Sequence, residues 1–337
     1  MSNLPVPSYV PDSPIVAGTP RYIFQNLFGI QGFDFRVYSF MIMLGIIASI
    51  LTILFFWYRE NYKTEILLTF VIIVVPLAII GARLGYVVEA LLYEAEPFKN
   101  SHWYAAWDGG LSIQGGIILA GIGGMLYGWI KRDVIDFRKV ISMIIPTILI
   151  GQFVGRWGNF ANHELYGKID WSGKSSIIWG QVIADNMYIS DSLTDSMNLE
   201  GAYRYPLFLY EGLANLFGFI LIVWVFNLFG IFKPGTHATF YLIWYGTVRL
   251  ALEPLRQDSF GLYTNVSLVF IILGTIGFIY FQFLSRVKYD VKWVKYRWVY
   301  SYTDELKYLQ YVSKTSPRGL IYLFKDRFLK NELIYKG

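Results

Sequence analysis

Seven stretches of nearly unbroken apolar residues run along the chain, at 38–58, 65–92, 110–130, 139–158, 205–230, 237–253 and 263–285. At 1.5 Å rise per helical residue, stretches of this length cross or nearly cross a hydrocarbon layer about 30 Å thick. The breaks between them carry turn or charge signals, such as Arg59-Glu60-Asn61, Glu94-Ala95-Glu96-Pro97, Lys131-Arg132-Asp133 and Lys233-Pro234-Gly235. The pattern predicts an all-α integral membrane protein with about seven transmembrane helices spanning 38–285. The fourth run has the least definite end, because it enters a glycine-rich segment near Gly155. The largest insert, 159–204, is rich in Gly, Asp, Ser and Asn, and reads as a small cap over the bundle. Residues 1–37 form a proline-rich leader with Pro5, Pro7, Pro11, Pro14 and Pro20, lacking the basic start and apolar core of a signal peptide. Residues 286–337 make a basic, aromatic tail.

Composition strengthens this picture. Only 16% of the 337 residues are charged, where a soluble chain usually carries about 25%. Aromatic residues reach 19%, in keeping with interfacial Trp and Tyr belts. There is no cysteine, and the histidines are His102, His163 and His237. A thiol nucleophile or thiolate site is therefore excluded, and neither a metal nor a cofactor is expected. Lys and Arg are lopsided: nineteen fall on the side of Arg59, Lys131, Lys233 and the tail, and eight on the side of Arg21, Arg156 and Arg256. The richer side is expected to be cytoplasmic, with the N-terminus outside and the C-terminus inside. The tail mixes Lys292-Trp293, Lys295-Tyr296 and Arg297-Trp298. Anchoring to anionic lipid explains that mixture, and no nucleic acid is expected.

Four segments could carry chemistry. Gly81-Ala82-Arg83-Leu84-Gly85 places a cation inside the second span, where it costs roughly 2.5–3.5 kcal/mol on insertion scales unless paired or used. Asp108-Gly109-Gly110-Leu111-Ser112-Ile113-Gln114-Gly115-Gly116 has two glycine pairs around hydrogen-bonding but uncharged side chains; such glycines are more often packing devices than sites. Gly155-Arg156-Trp157-Gly158-Asn159-Phe160-Ala161-Asn162-His163-Glu164 concentrates polar groups where an apolar run ends. Its arginine suits bidentate phosphate binding. Tyr245, Arg249, Glu253 and Arg256 recur at helical spacing, so they are expected on one face, with Pro254 kinking or ending the helix just past Glu253. Two cations against one anion leave that stripe positive. An outer-facing pocket between lipid and water suits a phospholipid headgroup. A transporter or flippase, or a non-catalytic lipid-binding subunit, would also bury charge in a helical bundle; no duplicated halves support the first.

These segments, in this order, resemble the prolipoprotein diacylglyceryl transferase family. The strongest likeness is Gly155 to Gly167, supported by Arg36-Val37-Tyr38, Gly81 to Gly85, Asp108 to Gly116, Tyr205-Pro206 with Leu209-Tyr210-Glu211, and Tyr245 to Arg256. The leader and the tail look like additions to it. The resemblance implies a multi-pass enzyme of the bacterial cell membrane. It implies transfer of the diacylglyceryl group of phosphatidylglycerol to the lipobox cysteine beside a prolipoprotein's signal peptide, the first step of lipoprotein maturation. It places Tyr38, Arg156, Asn159, Glu164, Tyr245, Arg249, Glu253 and Arg256 in the pocket; Arg83, a cation inside a span, and Asn162, a further donor, are expected to bind phospholipid with them on their own chemistry. Catalytic roles fall to Arg156, Arg249, Tyr245 and position 114. That position departs from the family, which usually has His where this chain has Gln114. A glutamine cannot serve as a general base, which leaves three readings: the base lies elsewhere, this copy is inactive, or the arginines alone favour the substrate thiolate, the expected one of the three.

Overall fold

The computed structural model describes residues 6–26, 34–93, 102–104, 112–257 and 261–322. Each of the seven apolar runs contains a helix among the described residues. In chain order these are α1 (Val37–Arg59), α2 (Thr64–Tyr93), α3 (Ile113–Ile130), α4 (Phe137–Ile144) continuing through a 3-10 turn at Pro146 into α5 (Ile148–Ala161), and then, past three short helices of the insert, α6 (Lys174–Ile177), α7 (Gln181–Met187) and α8 (Ser192–Ser196). α9 (Leu207–Phe219) runs on as π-helix to Asn227, α10 covers Thr236–Leu252, α11 (Gly261–Ile279) extends as π-helix to Leu284, and α12 covers Glu305–Lys314. Five helical stretches among the described residues are long and apolar enough to cross a membrane: Val37–Arg59, Thr64–Leu92, Phe137–Ala161, Leu207–Asn227 and Thr264–Leu284. The apolar Gly115–Ile130 and the 17-residue α10 are shorter. The helices are apolar on their outward faces too. Ile72 is 70% exposed and Leu91 62%, as lipid-facing side chains are and water-facing ones rarely are. The fourth run does not stop at its glycines: α5 continues through Gly155 and Gly158 to Ala161.

Short strands qualify the all-α expectation. They are β1 (Ile15–Val16), β2 (Tyr22–Phe24), β3 (Phe35–Arg36), β4 (Tyr188–Ser190), β5 (Ala202–Tyr203), β6 (Tyr289–Val294) and β7 (Arg297–Tyr302). β1 pairs parallel with β4, in register Ile15 with Ile189, and β4 pairs antiparallel with β5. The leader is thus built into the insert.

The chain forms two compact units, residues 1–54 with 141–301 and residues 55–140 with 302–337. In the second, α2 and α3 pack at close range. A Cβ at Gly85 would come within 2.9 Å of the Gly115 Cα, and one at Gly115 within 3.0 Å of the Gly85 nitrogen. Glycines at 81, 85 and 115 are therefore the packing devices that membrane helices favour. Trp57 donates to the Lys63 carbonyl and packs on Phe70, which meets Tyr127 edge-on.

In the first unit, α9 lies along α5 and α10 lies along α11. The insert sits on the ends of α5 and α9 through a core of Ile183, Met187, Ile189, Phe208 and Leu209, against which Trp157 and Phe160 pack. Phe160 and Phe208 stack at 4.4 Å. A buried ion pair closes the insert. Arg204, with no exposed surface, donates to both Asp191 oxygens at 2.6 and 2.7 Å and to Gln257. Asp191 also caps α8 and accepts from Tyr166. Burial alone would raise the Asp170 carboxyl, but hydrogen bonds from Ser175 and Ser172 outweigh it and hold the group below its ordinary value. Burial, with Tyr9 and Asp185 nearby, pushes the Tyr203 hydroxyl up to about 12.

Candidate active site

The site is assembled where α5 ends, α9 begins and α10 ends, all within the first unit. Arg156 lies on the last turns of α5, two turns past the apolar Leu149 that anchors the helix in the core. Its guanidinium grips Oε1 of Glu211, on the first turns of α9, and donates to Asn159 Oδ1 at 3.3 Å. The second Glu211 oxygen accepts from Arg256 at 3.0 Å. Asn159, buried, turns its amide to Glu164 Oε1 at 2.8 Å. Arg249 reaches Glu253 at 3.0 Å, one turn further along the chain. Three arginines and three carboxylates are thus interleaved. Isolated charges buried in an apolar surrounding would be prohibitive, and this alternation is what permits them.

The charges do not cancel at the surface they present. A cavity of about 490 Å³ is lined by Arg156, Arg249 and Arg256, and its lining holds one carboxylate, Glu164. Glu211 and Glu253 are not in the lining; their side chains are 3% and 11% exposed. The stripe read as two cations against one anion is therefore paired throughout, with a carboxylate from α9 as the additional partner. The positive face survives because Glu211 and Glu253 lie away from the cavity.

Backbone geometry aims these groups. α10 ends at Leu252, and Glu253–Leu255 form a 3-10 turn, because Pro254 has no N–H to continue the ladder. Arg256 is extended (φ −76°, ψ 142°), off the helical face on which its spacing had put it. It is placed instead by a bridge to Gly167, where a Cβ would come within 2.6 Å of the Leu255 carbonyl oxygen. Glu164 is flanked by His163 (φ 49°) and Leu165 (φ 56°). Left-handed conformations are uncommon for such residues and cluster where a turn aims a side chain.

The other expected residues separate into groups. Tyr245 lines the cavity. Tyr38, at the start of α1, packs on Gly158, where a Cβ would meet its ring at 2.9 Å. Asn162 caps the C-terminus of α5 and is not among the lining residues. Arg83 belongs to the second unit, buried, with its Nε donating to the Trp103 carbonyl at 2.8 Å. Gln114 is in that unit too, on the first turn of α3. Asp108 to Leu111 lie outside the described residues.

Against this geometry, the family model for prolipoprotein diacylglyceryl transferase matches residues 25–280. The chain belongs to that family. A relative from Mycoplasmopsis pulmonis, named phosphatidylglycerol–prolipoprotein diacylglyceryl transferase, is 46% identical over 80% of this chain and 84% of its own length. Relatives of the same name from Streptococcus pneumoniae and Streptococcus agalactiae are 36% and 32% identical, over 73% and 76% of this chain and 89% and 95% of their own. The match to the transferase family takes in the whole arginine site and ends before the β6–β7 hairpin.

Sequence reasoning missed two contributors. Glu211 was part of the likeness at Leu209-Tyr210-Glu211, but its link to two arginines was not foreseen. A carboxylate at the start of an apolar helix, expensive unless paired, was the available signal. The second is the leader. Ala17 and Gly18 line the cavity, Gly18 N–H donates to the His163 carbonyl, and Arg21 N–H donates to that of Ala161. The His163 ring faces the Thr19 carbonyl at 2.8 Å and Asn186 Oδ1 at 3.1 Å. It clamps the leader, which makes it a poor candidate for a base.

Proposed function

We propose that this chain transfers the diacylglyceryl group of phosphatidylglycerol to the lipobox cysteine of a prolipoprotein, as a multi-pass enzyme of the bacterial cell membrane. The observation that carries this reading is the arginine-lined cavity at one end of the helices, in a chain of this family. The helices supply seven crossings, α3 and α10 included, with the leader and insert as an outer cap and residues 286–337 on the cytoplasmic side.

The phosphate of the donor lipid sits against Arg156 and Arg249, with Arg256 and Tyr245 at the cavity wall. Glu211 and Asn159 fix the first arginine, with Glu164 holding the Asn159 amide, and Glu253 fixes the second. The incoming sulfur attacks the glyceryl carbon bonded to the phosphate ester. A C–S bond forms as the C–O bond breaks, and glycerol phosphate leaves with the bonding pair. The thiol's proton passes to water or to the leaving phosphate. Charge developing on the phosphate oxygen meets fixed guanidinium groups, the arrangement that stabilises transition states best in a dry site. The same cations favour the thiolate of the approaching cysteine, which stands in for the missing base. Tyr38 buttresses α5 through Gly158.

The decisive assay uses purified chain, phosphatidylglycerol and a fluorescent lipobox peptide, read by mass spectrometry. Gain of one diacylglyceryl mass, abolished by Arg249→Ala or by serine in place of the peptide cysteine, supports the transferase. Folded, lipid-binding protein that yields no product would sink it. Gln114 gives one specific reason to consider an inactive relative that only binds the lipid, and the same result would favour that reading.

A further inference from the structure

The β6–β7 hairpin is outside the family match and takes no part in the site. Its strands are joined at Lys295 and Tyr296, both with positive φ (43° and 69°), the tight two-residue turn that suits twisted strands. Strand alternation puts Tyr289, Val291 and Trp293 on one face with Trp298 and Tyr300. The Trp293 and Trp298 rings confirm this by meeting at 4.9 Å. That face is not buried: Trp293 is 56% exposed, Trp298 43% and Val291 48%.

Its location is fixed by chain geometry. Four residues separate Leu284, the end of the Thr264–Leu284 helix, from Tyr289. Such a link, five Cα steps long, spans at most about 18 Å. The hairpin is also seated on the end of the Leu207–Asn227 helix, since a side chain at Gly230 would collide with the Trp298 carbonyl. Lys233 ties these two helix ends together by donating to the Gln282 carbonyl at 2.7 Å. The arginine site stands at the other end of α9, about 30 Å away along 21 helical residues. Residues 228–236 and 285–300 at the hairpin end carry Lys233, Arg286, Lys288, Lys292, Lys295 and Arg297 against one carboxylate, Asp290. Neither Lys292 nor Lys295 is paired with a carboxylate among the described residues.

We infer that this hairpin is a membrane-surface anchor: Trp293 and Trp298 enter the headgroup layer, and the surrounding Lys and Arg select anionic lipid. Amphipathic aromatic rings settle at that depth, and cations beside them are drawn to acidic headgroups. A short, exposed, two-stranded element is marginal by itself in water; seating on Gly230 and on the bilayer accounts for its order.

The test uses the full chain in vesicles of phosphatidylcholine and phosphatidylserine, an anionic lipid other than the proposed donor, with bromine near the headgroup end of one lipid's acyl chains. Subtracting the fluorescence of Trp293→Phe/Trp298→Phe isolates the hairpin signal. The expected result is quenching about twofold deeper by brominated phosphatidylserine than by brominated phosphatidylcholine. Lys292→Glu/Lys295→Glu, with an unchanged unfolding midpoint, should equalise the two lipids. Equal quenching in the unmodified chain would remove the charge selection and overturn the inference. So would absence of quenching by either lipid, including the case where a short RNA changes the signal instead.

Discussion

Arg204 and Arg156 each hold a carboxylate in a buried pair, yet they do opposite things. Arg204 is closed on all sides: no exposed surface, both Asp191 oxygens, Gln257, and the Tyr166 ring 5.4 Å from its guanidinium. Arg156 shares Glu211 with Arg256 and keeps 18% of its side chain exposed, in the lining of a cavity. A buried ion pair is therefore not by itself the mark of a site. The difference lies in the third side of the guanidinium, capped by protein in one case and offered to a ligand in the other.

Removing each arginine breaks the comparison most directly. Arg204→Ala leaves Asp191 buried without its cation, a loss of about 3–5 kcal/mol. The unfolding midpoint in detergent should fall sharply, with proteolysis entering the 159–204 insert first. Arg156→Ala, after which Glu211 keeps Arg256, should leave the midpoint much closer to normal while lowering transfer about 100- to 1,000-fold, the usual effect of deleting a transition-state donor. If Arg156→Ala instead unfolds the chain as readily as Arg204→Ala, the distinction fails.

Glu211→Gln tests whether the hidden carboxylate acts through the arginines it grips. An amide cannot accept two charge-assisted bonds of equal strength, so Arg156 and Arg256 lose a common reference point. A tenfold to hundredfold fall in transfer is expected, about 1.4–2.8 kcal/mol. Recovery with Glu211→Asp would count against a purely positional role, since the shorter side chain cannot reach both. Gly167→Ala belongs beside it, because a Cβ there meets the Leu255 carbonyl oxygen at 2.6 Å and pushes on the bridge that places Arg256. About a tenfold loss is expected, within the ordinary range for a forced local shift.

The helices were legible in the sequence because each is a long apolar run, and a chain segment in lipid can satisfy its backbone on its own only as a helix. The arginine site was legible as a set of residues, through the segments around Arg156 and Arg249, but not as an arrangement. Helical spacing carried Arg256 along the α10 face, whereas Pro254 diverts the chain and Gly167 catches it. The leader was opaque for a different reason. Ile15 and Val16 are too short a strand to show a period, and their pairing with β4 depends on residues some 170 positions away. Prolines there signal an irregular path without saying where it leads.

The smallest expected effect concerns Gln114, and it bears on how the thiol is activated. Loss of a true general base typically costs 100- to 10,000-fold. A glutamine holds no proton-accepting nitrogen at neutral pH, so Gln114→Ala should cost no more than a neutral polar group does, about 1 kcal/mol or roughly fivefold in rate. If the arginine-lined cavity favours the thiolate by charge alone, raising the peptide thiol's own acidity should restore that fivefold as well as histidine does. Gln114→His then becomes the discriminating variant, compared with Gln114→Ala across pH 6–9. A new rate dependence with a midpoint near about 6.5, the ordinary histidine value, together with a hundredfold gain over Gln114→Ala, would mean that a base at this position matters and that the arginines do not suffice. Unchanged pH dependence and a gain of a few-fold would mean that Arg156, Arg249 and Arg256 carry thiol activation in this chain.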